Sequence, residues 1–222
     1  MNKELTFIKG QVFFNKGIYD NSNVYENTTK AIKNVIKGKV GLKVDLRMTQ
    51  DGVIICYSDD TLERLVHVED KVRDCTFENM NYITKFPLLK FSELIELTKD
   101  IPVIFELEKN NMEYKLHVMD ILSQYEGKYA IISKDIKTLK WMNKNYPNVV
   151  IGYKMDKDNL HRFHIFRRYD FISIDVNLLN DKFIRKQRED KFIIGHNVID
   201  DKVYNSKKDV YDALICESNF DK

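Results

Sequence analysis

Glycine and proline are scarce in this chain, at eight and three of 222 residues. Little of it is left for turn-rich or low-complexity segments, and no linker-like stretch interrupts it, so positions 1–222 are read as one domain. Cysteine is as rare, with only Cys56, Cys75 and Cys216. An odd number without C-x-x-C spacing excludes a disulfide framework and a cysteine-based zinc or redox site, and implies reduced, buried thiols. No run approaches the roughly 18 apolar residues of a membrane span. The opening MNKELTFIKGQVFF carries a charge every few positions instead of the apolar stretch of a secretory signal. A cytoplasmic protein without a transmembrane segment is the expectation. Net charge is also nearly missing: 36 Lys and Arg face 34 Asp and Glu, leaving +2. The basic residues are scattered rather than striped, which excludes a nucleic-acid footprint; the oligomeric state is left open.

What is present is ordinary globular composition, 43% hydrophobic and 32% charged. Short β-branched and aromatic runs alternate with segments of helical period from end to end. Strands are predicted at Gln11 to Phe14, Val40 to Leu46, Val53 to Tyr57, Pro102 to Leu107, Tyr129 to Ser133, Val149 to Tyr153, Asp170 to Asp175, Lys191 to Gly195 and Asp209 to Cys216. Helical segments fall between them, among them Asn27 to Lys37, Phe91 to Thr98, Met112 to Tyr125, Ile136 to Tyr146 and Leu178 to Gln187. The Thr76-Phe77-Glu78-Asn79 run predicts a further short, capped helix. Asp51-Gly52 ties the Val53 strand to its predecessor as a hairpin, which leaves eight strands for an α/β sheet. Eight parallel strands close into a barrel, for which about 200 residues is the lower end of the usual size. The competing open, doubly wound sheet wants a glycine-rich phosphate loop after its first strand, and Asn15-Lys16-Gly17-Ile18-Tyr19 is not one.

Four local motifs narrow the choice. Asp51 to Arg64 reads DGVIICYSDDTLER, Phe14-Asn15-Lys16-Gly17 precedes a Glu26-Asn27-Thr28 triplet, and Lys43-Val44-Asp45 lies on the second strand. Together they resemble the conserved blocks of the glycerophosphodiester phosphodiesterase family, which implies a (β/α)8 TIM barrel. The resemblance is strongest from Phe14 to Arg64 and at Ile104 to Glu108. In that family a divalent cation is held by a Glu-x-Asp pair and a later glutamate, while two histidines act as general acid and base on a phosphodiester. Carried over by position, the cation ligands are Lys43, Asp45 and Glu106, and the histidine positions are Asn15 and Ser58. Only Asp45 and Glu106 keep the family's residue type.

Hard divalent cations take oxygen ligands, and an ammonium at Lys43 repels one. Neither Asn15 nor Ser58 titrates near neutrality, so the usual proton shuttle is missing. The family's lysine two residues beyond the third-strand glutamate is Glu108 here, so Lys43 and Glu108 together resemble a charge swap across neighbouring strands. Lys43 is expected to hold Asp45, Glu106 and Glu108 together without a metal. In the late strand FIIGHNVID, His196 and Asn197 replace the family's aromatic and hydroxyl pair. His196 is read as a residue near the mouth, more in keeping with a satisfied surface or loop histidine than a base. His161 and His164, at a spacing that could share a metal, have no acidic third ligand beside them and are read as surface residues.

The expected protein is therefore a barrel that binds a small phosphorylated or glycerol-containing ligand without hydrolysing it, with Lys16, Lys43, Glu108 and His196 as candidate ligand contacts. No cofactor is expected, and magnesium or calcium would serve only if Asp45 and Glu106 still bind a cation. Two alternatives stay open. One is an active metal-dependent phosphodiesterase, with Lys16 and Lys43 receiving the phosphate. The other is a protein-interaction module with a vestigial mouth.

Overall fold

The computed structural model describes residues 3–108 and 111–218. Its strands are β1 (Val12–Asn15), β2 (Gly41–Met48), β3 (Ile54–Cys56), β4 (Val103–Leu107), β5 (Tyr129–Ser133), β6 (Val150–Met155), β7 (Phe171–Asp175), β8 (Phe192–Val198) and β9 (Ala213–Cys216). All but β3 are parallel, in the order β1-β9-β8-β7-β6-β5-β4-β2, and β2 pairs back onto β1. The sheet thus closes into the expected (β/α)8 barrel, and the open-sheet alternative falls. Strand β3 lies outside the ring, antiparallel to β2, as the Asp51-Gly52 hairpin predicts. No helix among the described residues is long and apolar enough to cross a membrane.

Short polar side chains set where the helices start. Thr28, Thr76, Asn111, Asp135, Asn180 and Asp200 each accept a backbone N–H from the first helical turn. Asn180 explains why the helix expected from Leu178 begins at Asp181, since its Oδ1 takes the Phe183 N–H at 2.8 Å. The last strand likewise starts at Ala213 rather than Asp209. There the Asp212 carboxylate accepts from the Ile193 N–H at 2.8 Å and from Arg188 Nε at 3.0 Å, which turns the preceding segment away from strand pairing. His161 is exposed, as expected, and accepts from Arg162 Nε at 3.2 Å; the side chain of His164 lies outside what the structure describes.

Alternate residues along each strand face the barrel axis. Toward the strand N-termini this interior is apolar, built from Phe13, Ile104, Ile132, Phe171, Ile194 and Ile215, with Ile8 packed among them. Two residues further along the same strands the inward positions turn polar: Asn15 follows Phe13, Glu106 follows Ile104, Ser173 follows Phe171 and His196 follows Ile194. The outer strand faces, including Val44, Leu46, Phe105 and Ile172, pack under the helices. A separate cluster of Tyr57, Leu62, Val72, Met80 and Phe86 underlies the segment between β3 and β4 and fixes it beside the mouth.

Two glycines make room for aromatic rings in the narrow interior. A Cβ at Gly41 would lie 2.4 Å from the Phe13 ring, and one at Gly152 would lie 2.3 Å from Phe171. Overpacking of this kind costs typically about 1–3 kcal/mol, so Gly41→Ala is expected to lower stability by that amount in urea denaturation. An unchanged midpoint would contradict the packing.

Candidate active site

Inward-facing side chains at the C-terminal ends of the strands line a mouth cavity of about 670 Å³, with Asp45, Arg47, Ser58, Glu106, Glu108 and Lys154 in its wall. At its base is a buried cluster of charge. Lys43 Nζ lies 2.7 Å from Asp45 Oδ1 and 2.6 Å from Glu106 Oε2, with the three residues only 3%, 8% and 7% exposed. The register explains the meeting: Lys43 is level with Ile104 and Asp45 with Glu106, so a lysine one step below two facing carboxylates reaches up between them. Lys154 of β6 donates to both Glu106 oxygens, at 2.8 and 2.7 Å. Sequence reasoning missed Lys154. Its only signal is a lysine inside an otherwise apolar strand, two residues beyond the inward-facing Gly152.

Burial by itself would lower the Lys43 pKa, but Asp45 and Glu106 outweigh it and hold the ammonium above the ordinary lysine range. Glu106, which burial would raise, is instead held well below the carboxylate range by Lys43 and Lys154. Lys154 is lowered by its burial and by repulsion from Lys43. The two lysines and the two carboxylates thus offset one another's charge within the cluster.

The expected Lys43–Glu108 partnership is not formed. With Leu46 opposite Leu107, Glu108 comes level with Arg47, and it pairs with Arg47 instead. Arg47 also reaches Asp60 at 3.1 Å and donates to the Ser58 carbonyl, which ties β2 to the loop after β3. The charge swap is thus two separate pairings, Lys43 with Asp45 and Glu106, and Arg47 with Glu108.

Ser58 Oγ donates to Asp45 Oδ2 at 2.9 Å and accepts from Asn27 Nδ2 at 3.1 Å. Asn15 Nδ2 donates to Glu217 at 2.9 Å, while its Oδ1 is buried without a hydrogen-bond partner among the described residues. Lys16, in the left-handed region at φ 66°, places its ammonium 3.4 Å from Glu26. Glu26 in turn receives both Arg64 nitrogens, at 2.9 and 2.5 Å, and Arg64 reaches Asp59 at 2.6 Å. The Glu-Asn-Thr and Thr-Leu-x-Arg motifs are thereby joined by a bidentate ion pair that clasps the loops after β1 and β3.

His196 is not a surface or loop residue. It is buried inside the barrel, and its Nδ1 lies 2.9 Å from Ser173 Oγ. Burial first, then the nearby Lys154, push its pKa down to about 3, so the ring is neutral at pH 7. Among the described residues no group of three or more His, Cys, Asp or Glu side chains is arranged to hold a metal ion.

A parallel barrel with charged residues at the C-terminal ends of its strands belongs to a large class of enzymes and binding proteins. Comparison narrows it: the family model for glycerophosphoryl diester phosphodiesterases matches residues 17–196, and the chain belongs to that family. It is 32% identical over 173 residues to a glycerophosphodiester phosphodiesterase of Caldanaerobacter subterraneus subsp. tengcongensis, covering 70% of this chain and 71% of that protein. A glycerophosphodiester phosphodiesterase of Thermotoga maritima has the same fold, with a TM-score of 0.77 at 19% identity over 92% of this chain and 93% of that one. So does an Oleispira antarctica phosphodiesterase in complex with the product sn-glycerol-3-phosphate, with a TM-score of 0.78 at 15% identity over 95% and 94%. The family is a phosphodiester hydrolase class whose members typically bind a divalent metal.

Breaking a buried ion pair by removing one partner costs about 3–5 kcal/mol. Lys43→Met is therefore expected to lower stability by about 3 kcal/mol, and Lys154→Met by less because that side chain is 18% exposed. Equal losses, or a neutral Lys43→Met, would contradict the central role of Lys43. His196 supplies a pH test. Its folded pKa, about 3, is below its ordinary value of 6.5, so the unfolded chain takes up the proton first. The stability it contributes is complete above 6.5 and is lost as pH falls toward 3. Between pH 6.5 and about 5 the wild type should lose stability with a slope of up to about 1.4 kcal/mol per pH unit from this group, and His196→Asn should be flatter.

Proposed function

We propose that the barrel mouth binds a small phosphorylated or glycerol-containing ligand without a divalent cation and without hydrolysing it. The observation that carries this reading is the Lys43 ammonium between Asp45 and Glu106, at the point where the family resemblance puts the cation. The donor set does not fit a divalent ion. A hard cation needs several free oxygens, and here each carboxylate already accepts from an ammonium, with Lys154 on Glu106 and Ser58 on Asp45 besides. Bringing in a metal would require displacing a buried, paired lysine whose charge repels it.

The two histidine positions support the same conclusion. General acid and base groups contribute typically about 10²- to 10⁴-fold in rate when their pKa lies near the working pH. Asn15 and Ser58 have no such pKa, and both side chains are engaged in hydrogen bonds to carboxylates, Glu217 and Asp45. His196, the one inward-facing histidine of β8, is held neutral against Ser173 and is no substitute. The mouth still offers an anionic ligand a cavity with the Lys154 ammonium at its base. The sn-glycerol-3-phosphate bound by the Oleispira antarctica neighbour supports the ligand class. We propose the cytoplasm as the setting of this binding role.

The test pairs an assay with a thermal shift. Purified protein should not turn over glycerophosphodiesters in magnesium or calcium, and neither ion should raise its melting temperature. Glycerol phosphate should stabilise it, by about 2.7 kcal/mol at a hundredfold excess over Kd. Chelator-sensitive turnover abolished by Asp45→Ala would restore the metal-dependent enzyme. Indifference to every phosphorylated ligand would favour a protein-interaction role.

A further inference from the structure

The cavity is larger than one phosphate needs, and its charges are not evenly satisfied. All five carboxylates in its wall are engaged: Asp45 and Glu106 by Lys43, Glu108 and Asp60 by Arg47, and Asp135 by the N–H groups and hydroxyl that it caps on the Ile136–Asn145 helix. Of the five cations there, Lys154 is paired with Glu106, Lys134 with Asp156, and Arg47 with Asp60 and Glu108. Lys71 has no ionic partner among the described residues, and Arg73 has only a loose contact with Asp74, at 3.7 Å between two exposed side chains. The two cations of the mouth without a close ionic partner among the described residues therefore sit on its rim, at Lys71 and Arg73.

That rim is held in place by the backbone. Thr61 and Lys71 form an antiparallel bridge, the Leu62 N–H donates to Asp70 O at 3.0 Å, and the Val72 N–H donates to Asp60 O at 2.9 Å. Val72, between the two cations, is 2% exposed and packs with Leu62 and Tyr57, which leaves Lys71 and Arg73 outward on either side. Arg47 lines the same cavity, 8% exposed, with an Nε that has no hydrogen-bond partner among the described residues. An anion arriving here would meet two cations it need not detach from a buried acid. At the base, by contrast, Lys154 must share its charge with Glu106.

We infer that Lys71 and Arg73, backed by Arg47, form an outer anion subsite, so that the ligand of this mouth carries two anionic groups, a phosphate toward Lys154 and a second anion at the rim. This rests on the proposed binding role and adds the class of ligand to it. Two cations that need not leave a buried acid favour the second group directly, and both the affinity gain and the rate of capture should fall with salt.

The probes are hexyl phosphate and hexanediol bisphosphate, with propyl phosphate and propanediol bisphosphate as the shorter pair, titrated calorimetrically at low salt. In at least one pair the bisphosphate should bind about tenfold or more tightly than the monophosphate, a difference of about 1.4 kcal/mol. Lys71→Ala with Arg73→Ala should remove that preference without changing the melting temperature, since both side chains are exposed. Equal affinities within both pairs, or a preference that survives the double variant, would overturn the subsite and leave the binding role intact. Failure of wild-type protein to bind any of the four compounds would overturn both.

Discussion

Much of the upper barrel is arranged around the Lys43 ammonium held between Asp45 and Glu106. Three charged side chains at 3–8% exposure are tolerable only because each has an opposite charge within hydrogen-bonding distance. Once Lys43 occupies that point, the neighbours follow. Glu106 keeps an oxygen for Lys154, and Asp45 keeps one for Ser58, whose hydroxyl in turn accepts from Asn27. The loops after β1 and β3 thus hang on the same network that neutralises the barrel centre.

A metal ion and an ammonium ask different things of their surroundings. A divalent cation gathers several oxygens and leaves its own charge partly exposed to a ligand, whereas a lysine offers one charge and a few N–H donors, all directed by its stem. With the lysine, the carboxylates need no third acidic ligand, and none is arranged for a metal among the described residues. The two motif-bearing loops are also joined independently of the base. Glu26 and Arg64 clasp two mouth loops, and the loop-bearing cluster around Tyr57 and Val72 is fully packed. Part of the mouth's stability is thus carried by residues outside its charged base, Glu26 and Arg64 among them.

The same division runs along the barrel axis. Below, Phe13, Phe171 and the interior isoleucines fill a space that glycines at 41 and 152 keep wide enough for rings. Above, every inward position that would continue this packing is polar. Its members pair with one another, so Asn15 meets Glu217 and His196 meets Ser173. The apolar half supplies the burial that holds the barrel closed, and the polar half is positioned by it.

The alternation of strand and helix, the hairpin at Asp51-Gly52, the capped helix after Thr76 and the family motifs were all legible in the chain itself, because each depends on residues close in sequence. So was the substitution of Lys43, Asn15 and Ser58 at positions where the motifs lead one to look for an acid and two histidines. Partner choice was not legible. Whether Lys43 reaches Glu106 or Glu108, whether Arg47 claims the latter, and whether Lys154 enters the site at all depend on the register of β2 against β4 and on the closure of the sheet. His196 was misread for the same reason, since only the closed barrel buries it. Local pattern determined the elements and the residue types at their ends; the tertiary structure alone decided which charges meet, because ion pairs form across strands that lie far apart in the chain.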